Sequence, residues 1–130
     1  MNTNEPLVHK ELSGGIIGCA MTVLNRLRCG LPEKIYERAL VIELQKRGHQ
    51  VSSQKEFPVH YDGIKIGKLV PDLLIDELII VDTKVVTNFC EEEIAQMLGY
   101  LAVTGLELAI LVNFRYPRLR WQRIVRQQIG

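Results

Sequence analysis

The chain has little of what a zinc centre or a disulfide framework needs. Its three cysteines (Cys19, Cys29, Cys90) include no C-x-x-C pair, and its three histidines (His9, His49, His60) lie far from them in sequence. Both arrangements are therefore excluded, and reduced thiols are expected. No apolar run approaches the ~20 residues that span a bilayer. Residues 1–6 have neither the basic region nor the apolar stretch of a leader peptide, so no membrane partner and a cytoplasmic location are expected. Repeats, low-complexity tracts and Gly/Ser linkers are also missing. A length of 130 residues then suits one domain over 1–130, with 1–10 as an N-terminal tail. The net charge of +1 hides an asymmetry: the last of the 15 acids is Glu107, and five arginines (Arg115, Arg118, Arg120, Arg123, Arg126) follow it.

Hydrophobic spacing supplies the elements. Ile16, Ile17, Ala20, Val23, Leu24 and Leu27 form a helical stripe within 11–28, although Gly14, Gly15 and Gly18 weaken it or admit a close neighbour. Pro32 and Glu33 suit the start of a second helix, which Gly48 stops. The period then changes to that of strands: 51–60, a turn at Tyr61-Asp62-Gly63, 64–75 interrupted at Gly67, and 78–86. Asn88 is placed to cap a helix whose first turn holds Glu91, Glu92 and Glu93 and which runs to Gly105. Leu108–Val112 reads as a buried central strand and 119–125 as a more exposed one. The order α-α-β-β-β-α-β-β predicts an α/β (α+β) fold with a central mixed β-sheet flanked by helices.

Chemistry concentrates in Pro71-Asp72, nine residues, then Asp82-Thr83-Lys84. Asp82 and Lys84 are two apart in an otherwise apolar strand, so both point to one face while Val81, Thr83 and Val85 point to the other. With Asp76-Glu77 as a two-residue hairpin tip, Ile75 faces Leu78 and Pro71 faces Asp82. Asp72 is then one residue out of register, and a bulge or a bend near Pro71 is required for the carboxylates to converge. Converging carboxylates are hard oxygen ligands suited to Mg²⁺ or Mn²⁺, with a lysine beside them to position water. The alternative is a surface hairpin carrying an exposed Asp–Lys pair.

Gly30-Leu31-Pro32-Glu33-Lys34-Ile35-Tyr36 matches the G-x-x-E-x-x-Y signature of the GxxExxY proteins. Together with P-D…D-x-K, the element order resembles the PD-(D/E)xK nuclease superfamily and its restriction-endonuclease-like core. Gln96-Met97-Leu98-Gly99-Tyr100-Leu101 with Thr104-Gly105, and Asn113-Phe114 with Pro117-Arg118-Leu119, are similar to further segments of those proteins, so the likeness runs from about Glu11 to Arg126. Two departures stand out: Asp82 where glutamate is usual, and Leu24-Asn25 where a histidine or tyrosine often stands.

The resemblance implies a metal-dependent nuclease, with DNA favoured over RNA as partner and Mg²⁺ or Mn²⁺ as cofactor. It assigns Asp72, Asp82, Glu33 and the Thr83 carbonyl to the metal. Lys84 and Gln96 complete the catalytic set, and Tyr36 and Tyr100 are auxiliary. Arg118, Arg120 and Arg123 are read as a nucleic-acid-binding stripe, or else as charges that keep an edge strand soluble. A homodimer would supply the two sites that duplex cutting needs. The other readings are a catalytically inactive module of the same fold, binding nucleic acid or a protein, and a stand-alone scaffold or toxin-associated partner.

Overall fold

A computed structural model describes residues 7–126. The elements are α1 (Lys10–Leu27), α2 (Glu33–Lys46), β1 (Val51–Ser53), β2 (Phe57–Tyr61), β3 (Ile64–Leu69), β4 (Leu73–Ile75), β5 (Ile79–Lys84), α3 (Glu91–Thr104), β6 (Leu108–Asn113) and β7 (Arg120–Val125). Helical and extended segments follow the expected order, but two extended segments are each divided. The first breaks at residues 54–56, beginning with Gln54 at φ +57°. The second breaks at Val70–Asp72 rather than at Gly67, because Pro71 brings no N–H to a ladder. Of the expected N-terminal tail, residues 1–6 lie outside the described residues, and Lys10 already belongs to α1.

Five strands form one sheet in the order β1-β4-β5-β6-β7, in which only β5 and β6 run parallel, and β2-β3 make a separate hairpin. The period-two alternation divides the sheet's side chains between two cores. Leu73, Ile75, Ile79, Val81, Ile110 and Val112 pack with α1 and α2, while Leu74, Ile80, Ala109, Leu111 and Ile124 pack with α3. Helices therefore cover both faces, which is why β5 and β6 read as nearly unbroken apolar runs. The anticipated close approach at the α1 glycines does not occur. A Cβ at Gly15 or Gly18 would meet only the side-chain tips of His49 (3.9 Å) and Arg47 (3.5 Å) in ordinary contact. Helix α3 is capped at Cys90 rather than Asn88: the Glu93 carboxylate accepts the Cys90 N–H at 3.3 Å and its S–H at 3.1 Å.

The β4–β5 turn decides the site. Asp76 and Glu77 have φ of +51° and +59°, the positive pair that a primed hairpin turn requires, and the Leu78 N–H bonds to the Ile75 carbonyl at 2.9 Å. The ladder nevertheless begins at Ile75↔Ile79, leaving Leu78 as an extra residue. The expected register is thus corrected by one residue, and the bulge sits at the turn rather than near Pro71. One step beyond Leu73↔Val81, Asp72 comes to stand opposite Asp82. Nothing in the local pair Asp-Glu favours this turn. It is held from outside, where Asp76 accepts from Gln50 N–H (2.8 Å) and pairs with His49 Nδ1 (2.7 Å).

Candidate active site

Asp72 and Asp82 are locked to each other's strands. Asp82 Oδ1 accepts the Asp72 N–H at 2.9 Å, and Asp72 Oδ2 accepts the Thr83 N–H at 3.0 Å, with the Thr83 hydroxyl at 3.4 Å. Each carboxylate keeps one oxygen, Asp72 Oδ1 and Asp82 Oδ2, without a hydrogen-bond partner among the described residues, and neither is sealed from solvent. Asp82 is 3% exposed. Burial first, then the charge of Asp72, pushes its carboxyl up to about 7, against the pull of the Asp72 N–H and Lys84. Lys84 is half-buried and stands on the same face of β5, two residues on. A repelling carboxylate pair, one member buried and the other half-buried, with free oxygens is the arrangement a hard cation relieves.

Glu33 opens α2 and is exposed. Its carboxyl is raised by desolvation and then by Asp72, with Lys84 pulling the other way, so it senses both groups across the site's edge. It does not close a three-acid cage: among the described residues, no three His, Cys, Asp or Glu side chains stand close enough to hold a metal ion. Magnesium is commonly held by one or two carboxylates with water and substrate phosphates, and the Asp72–Asp82 pair fits that pattern.

The auxiliary residues separate. Tyr36 is fully buried; its hydroxyl donates to Arg28 O (2.6 Å) and accepts from Leu31 N–H (3.0 Å), and its ring stacks on Phe114 at 4.7 Å. It therefore pins the 28–31 turn that sets the start of α2, and its hydroxyl is not offered to a substrate. Tyr100, on the α3 face, has its hydroxyl pushed up to about 12 by burial and then by Asp82 and Asp72, so it stays a proton donor beside the acid pair. Gln96 lies one helical turn earlier, exposed, beside a small hollow it shares with Glu92 and Glu93.

The three arginines do not form one stripe. Arg120 pairs with Asn113 and Asn113 with Lys84, so Arg120 is two strands, roughly 10 Å, from Lys84 on the same face. Its guanidinium stacks over Tyr116 at 4.0 Å. Arg123 points to the α1 side, where it donates to the Val8 carbonyl and so is committed to the N-terminal segment. Arg118 is exposed before β7, on the border of a hollow against α1.

Sequence reasoning gives no role to Asn113, yet it is 1% exposed and ties down the chain leaving β5. It donates to Val86 O (2.7 Å) and accepts from the N–H groups of Val86 (3.2 Å) and Arg115 (3.1 Å). Its signals in the chain are an amide ending a wholly apolar run and the Asn113-Phe114 likeness noted above.

A family model of the PD-(D/E)XK nuclease superfamily matches residues 10–124. Among solved structures, an alkaline exonuclease from Laribacter hongkongensis, LHK-Exo, is 14% identical, with a TM-score of 0.49 over 92% of this chain and 83% of its own. LHK-Exo in complex with dAMP aligns at 14% identity and a TM-score of 0.50, over 88% of this chain and 83% of its own. At that identity the likeness is one of fold. No curated protein sequence matches the chain.

Proposed function

The chain belongs to the PD-(D/E)XK nuclease superfamily, and from that premise we propose that it is a divalent-metal-dependent phosphodiesterase acting on nucleic acid, DNA in preference to RNA. The observation that carries this reading is the Asp72–Asp82 pair, each carboxylate keeping one free oxygen, with Lys84 on the same face. Nucleases of the superfamily generally use divalent metal ions. Here the free oxygens of Asp72 and Asp82 would hold Mg²⁺ or Mn²⁺, with the Thr83 carbonyl and Glu33 as the remaining candidates. When bound, such an ion supplies Lewis acidity at the phosphate and acidifies water.

The rest falls to the chain. Lys84 holds the attacking water and offsets charge growing on the phosphate. Gln96 orients the substrate, and the Tyr100 hydroxyl donates a hydrogen bond without titrating. Arg120, on the same face as Lys84, contacts a neighbouring phosphate. The unit that acts is the whole chain as one domain, working in the cytoplasm, where its free cysteines stay reduced.

The test is cleavage of DNA and RNA with Mg²⁺ or Mn²⁺ by the wild type and by Lys84→Ala. Metal-dependent cutting that Lys84→Ala loses by about 100-fold or more is expected, in line with removal of a transition-state contact. No cutting by wild type, or equal cutting by both proteins, would reject the reading. The exposure of Glu33 and the two-acid set favour one competing reading, an inactive module that binds nucleic acid. Calorimetry separates the two, because a working site binds Mn²⁺ with a measurable heat and Asp82→Ala abolishes it. A homodimer belongs to the proposal because duplex cutting takes two sites, and sedimentation showing only monomer refutes it.

A further inference from the structure

A hollow of about 370 Å³ opens between the C-terminal half of α1 and the segment entering β7. Leu24 and Leu119 are buried and form its floor, while Met21, Asn25, Arg118 and Trp121 stand exposed around it. None of the Asn25, Arg118 and Trp121 side chains hydrogen-bonds or ion-pairs with a described residue. Three convergent polar or aromatic groups over an apolar floor are the make-up of a ligand site rather than of a packing defect.

Its charge and position indicate the occupant. Of the five arginines that follow residue 108, Arg118 lines the hollow and no acid does, so its β7 side attracts anions. Trp121 pairs with Val112 and Val112 with Thr83, which sets the indole's strand two spacings, roughly 10 Å, from β5. Arg120, the residue before Trp121 on β7, lies on the last rung with Asn113 and Lys84 and so on the opposite face of the sheet from Trp121. A polynucleotide leaving the acid pair would thus meet Arg120 on the α3 face and reach the hollow on the α1 face by passing around the end of the sheet.

We propose that this hollow is a subsite for one unpaired base of the substrate strand, an inference that takes the polymer's identity from the nuclease reading. The base stacks on Trp121, Arg118 pairs with the adjoining phosphate, and the Asn25 amide, both donor and acceptor, meets the base edge whatever the base. An aromatic plane flanked by arginines holds single strands with little sequence preference.

Trp121 is the chain's single tryptophan, so its fluorescence reports the site directly. The full chain is titrated in EDTA, where no cutting occurs, with a twelve-nucleotide thymidine strand and with an abasic strand of equal length, and occupancy is followed by anisotropy of a labelled end. Thymidine strands are expected to quench Trp121, whereas abasic strands bind more weakly and leave its emission unchanged. Trp121→Leu should lose about 5- to 150-fold in affinity for the thymidine strand, the range of one base stack, and nothing for the abasic strand. Arg118→Ala should weaken both and lower the salt slope by about one. Unchanged emission at full occupancy, equal affinity for the two strands, or no strand binding overturns the subsite. An apolar peptide quenching Trp121 where the strands do not also counts against it. Cleavage with Mn²⁺ alongside unquenched emission sinks the subsite alone, whereas quenching without cleavage sinks the nuclease reading and keeps the subsite.

Discussion

Replacing Asp82 by asparagine should stabilise the metal-free protein while abolishing its chemistry. Asparagine keeps the volume and the acceptor for the Asp72 N–H, now at 2.9 Å, and removes a charge that is 3% exposed and faces a second carboxylate. The sign follows from proton binding. The folded carboxyl titrates at about 7 against an ordinary 3.8, so between those values the folded state holds a proton that the unfolded state has lost. Asp82 therefore costs nothing at low pH, and stability falls as pH rises through the window, levelling off above about 7. Moving a carboxyl from 3.8 to about 7 corresponds to about 4 kcal/mol. Because Asp72 shares the repulsion, the expected gain for Asp82→Asn at pH 8 is on the order of 2–4 kcal/mol. It should shrink to about 1 kcal/mol near pH 4.5. Urea unfolding in EDTA at both pH values measures the gain, and Mn²⁺ should then raise the stability of the wild type and leave Asp82→Asn unmoved. A variant no more stable than wild type at pH 8, or a gain independent of pH, would refute the reasoning about this buried pair.

Asn113→Ala strips Val86 and Arg115 of their buried partners and should cost about 2–4 kcal/mol in denaturant unfolding, with a lower kcat because the chain beyond Lys84 loosens. Tyr36→Phe keeps the stack on Phe114 but leaves Arg28 O and Leu31 N–H unpaired; a loss of about 1–3 kcal/mol, seen as a lower Tm, is expected. Burial tends to raise the Asp76 carboxyl, but the His49 and Gln50 hydrogen bonds bring it below its ordinary 3.8. Its stabilisation is thus present above pH 3.8 and lost as pH falls through the lower folded value, so Asp76→Asn should flatten the acid limb of the stability curve.

Much of the site was legible without coordinates. The two-residue spacing of Asp82 and Lys84 puts them on one face in any strand, and the apolar runs 78–86 and 108–112 announce strands covered on both sides. Element order followed from changes of hydrophobic period, and the glycine stop of α3 from a residue that takes φ +76° without strain. Caps were less legible: the α3 start depends on the Glu93 side chain folding back to Cys90, which moves it two residues from Asn88.

Sequence by itself determined that Asp82 and Lys84 share one face of β5, because strand periodicity and residue type are local properties. Only the tertiary structure decided that Asp72 meets Asp82. A one-residue slip in a hairpin reverses every side chain, and here the slip is chosen by His49 and Gln50, which lie 27 and 26 residues from the Asp76 they hold. The same holds for the arginines. Their number and sign were plain in the chain, but β7 pairs with β6 and so sends Arg120 toward Lys84 and Arg123 toward Val8, a division that no local spacing contains.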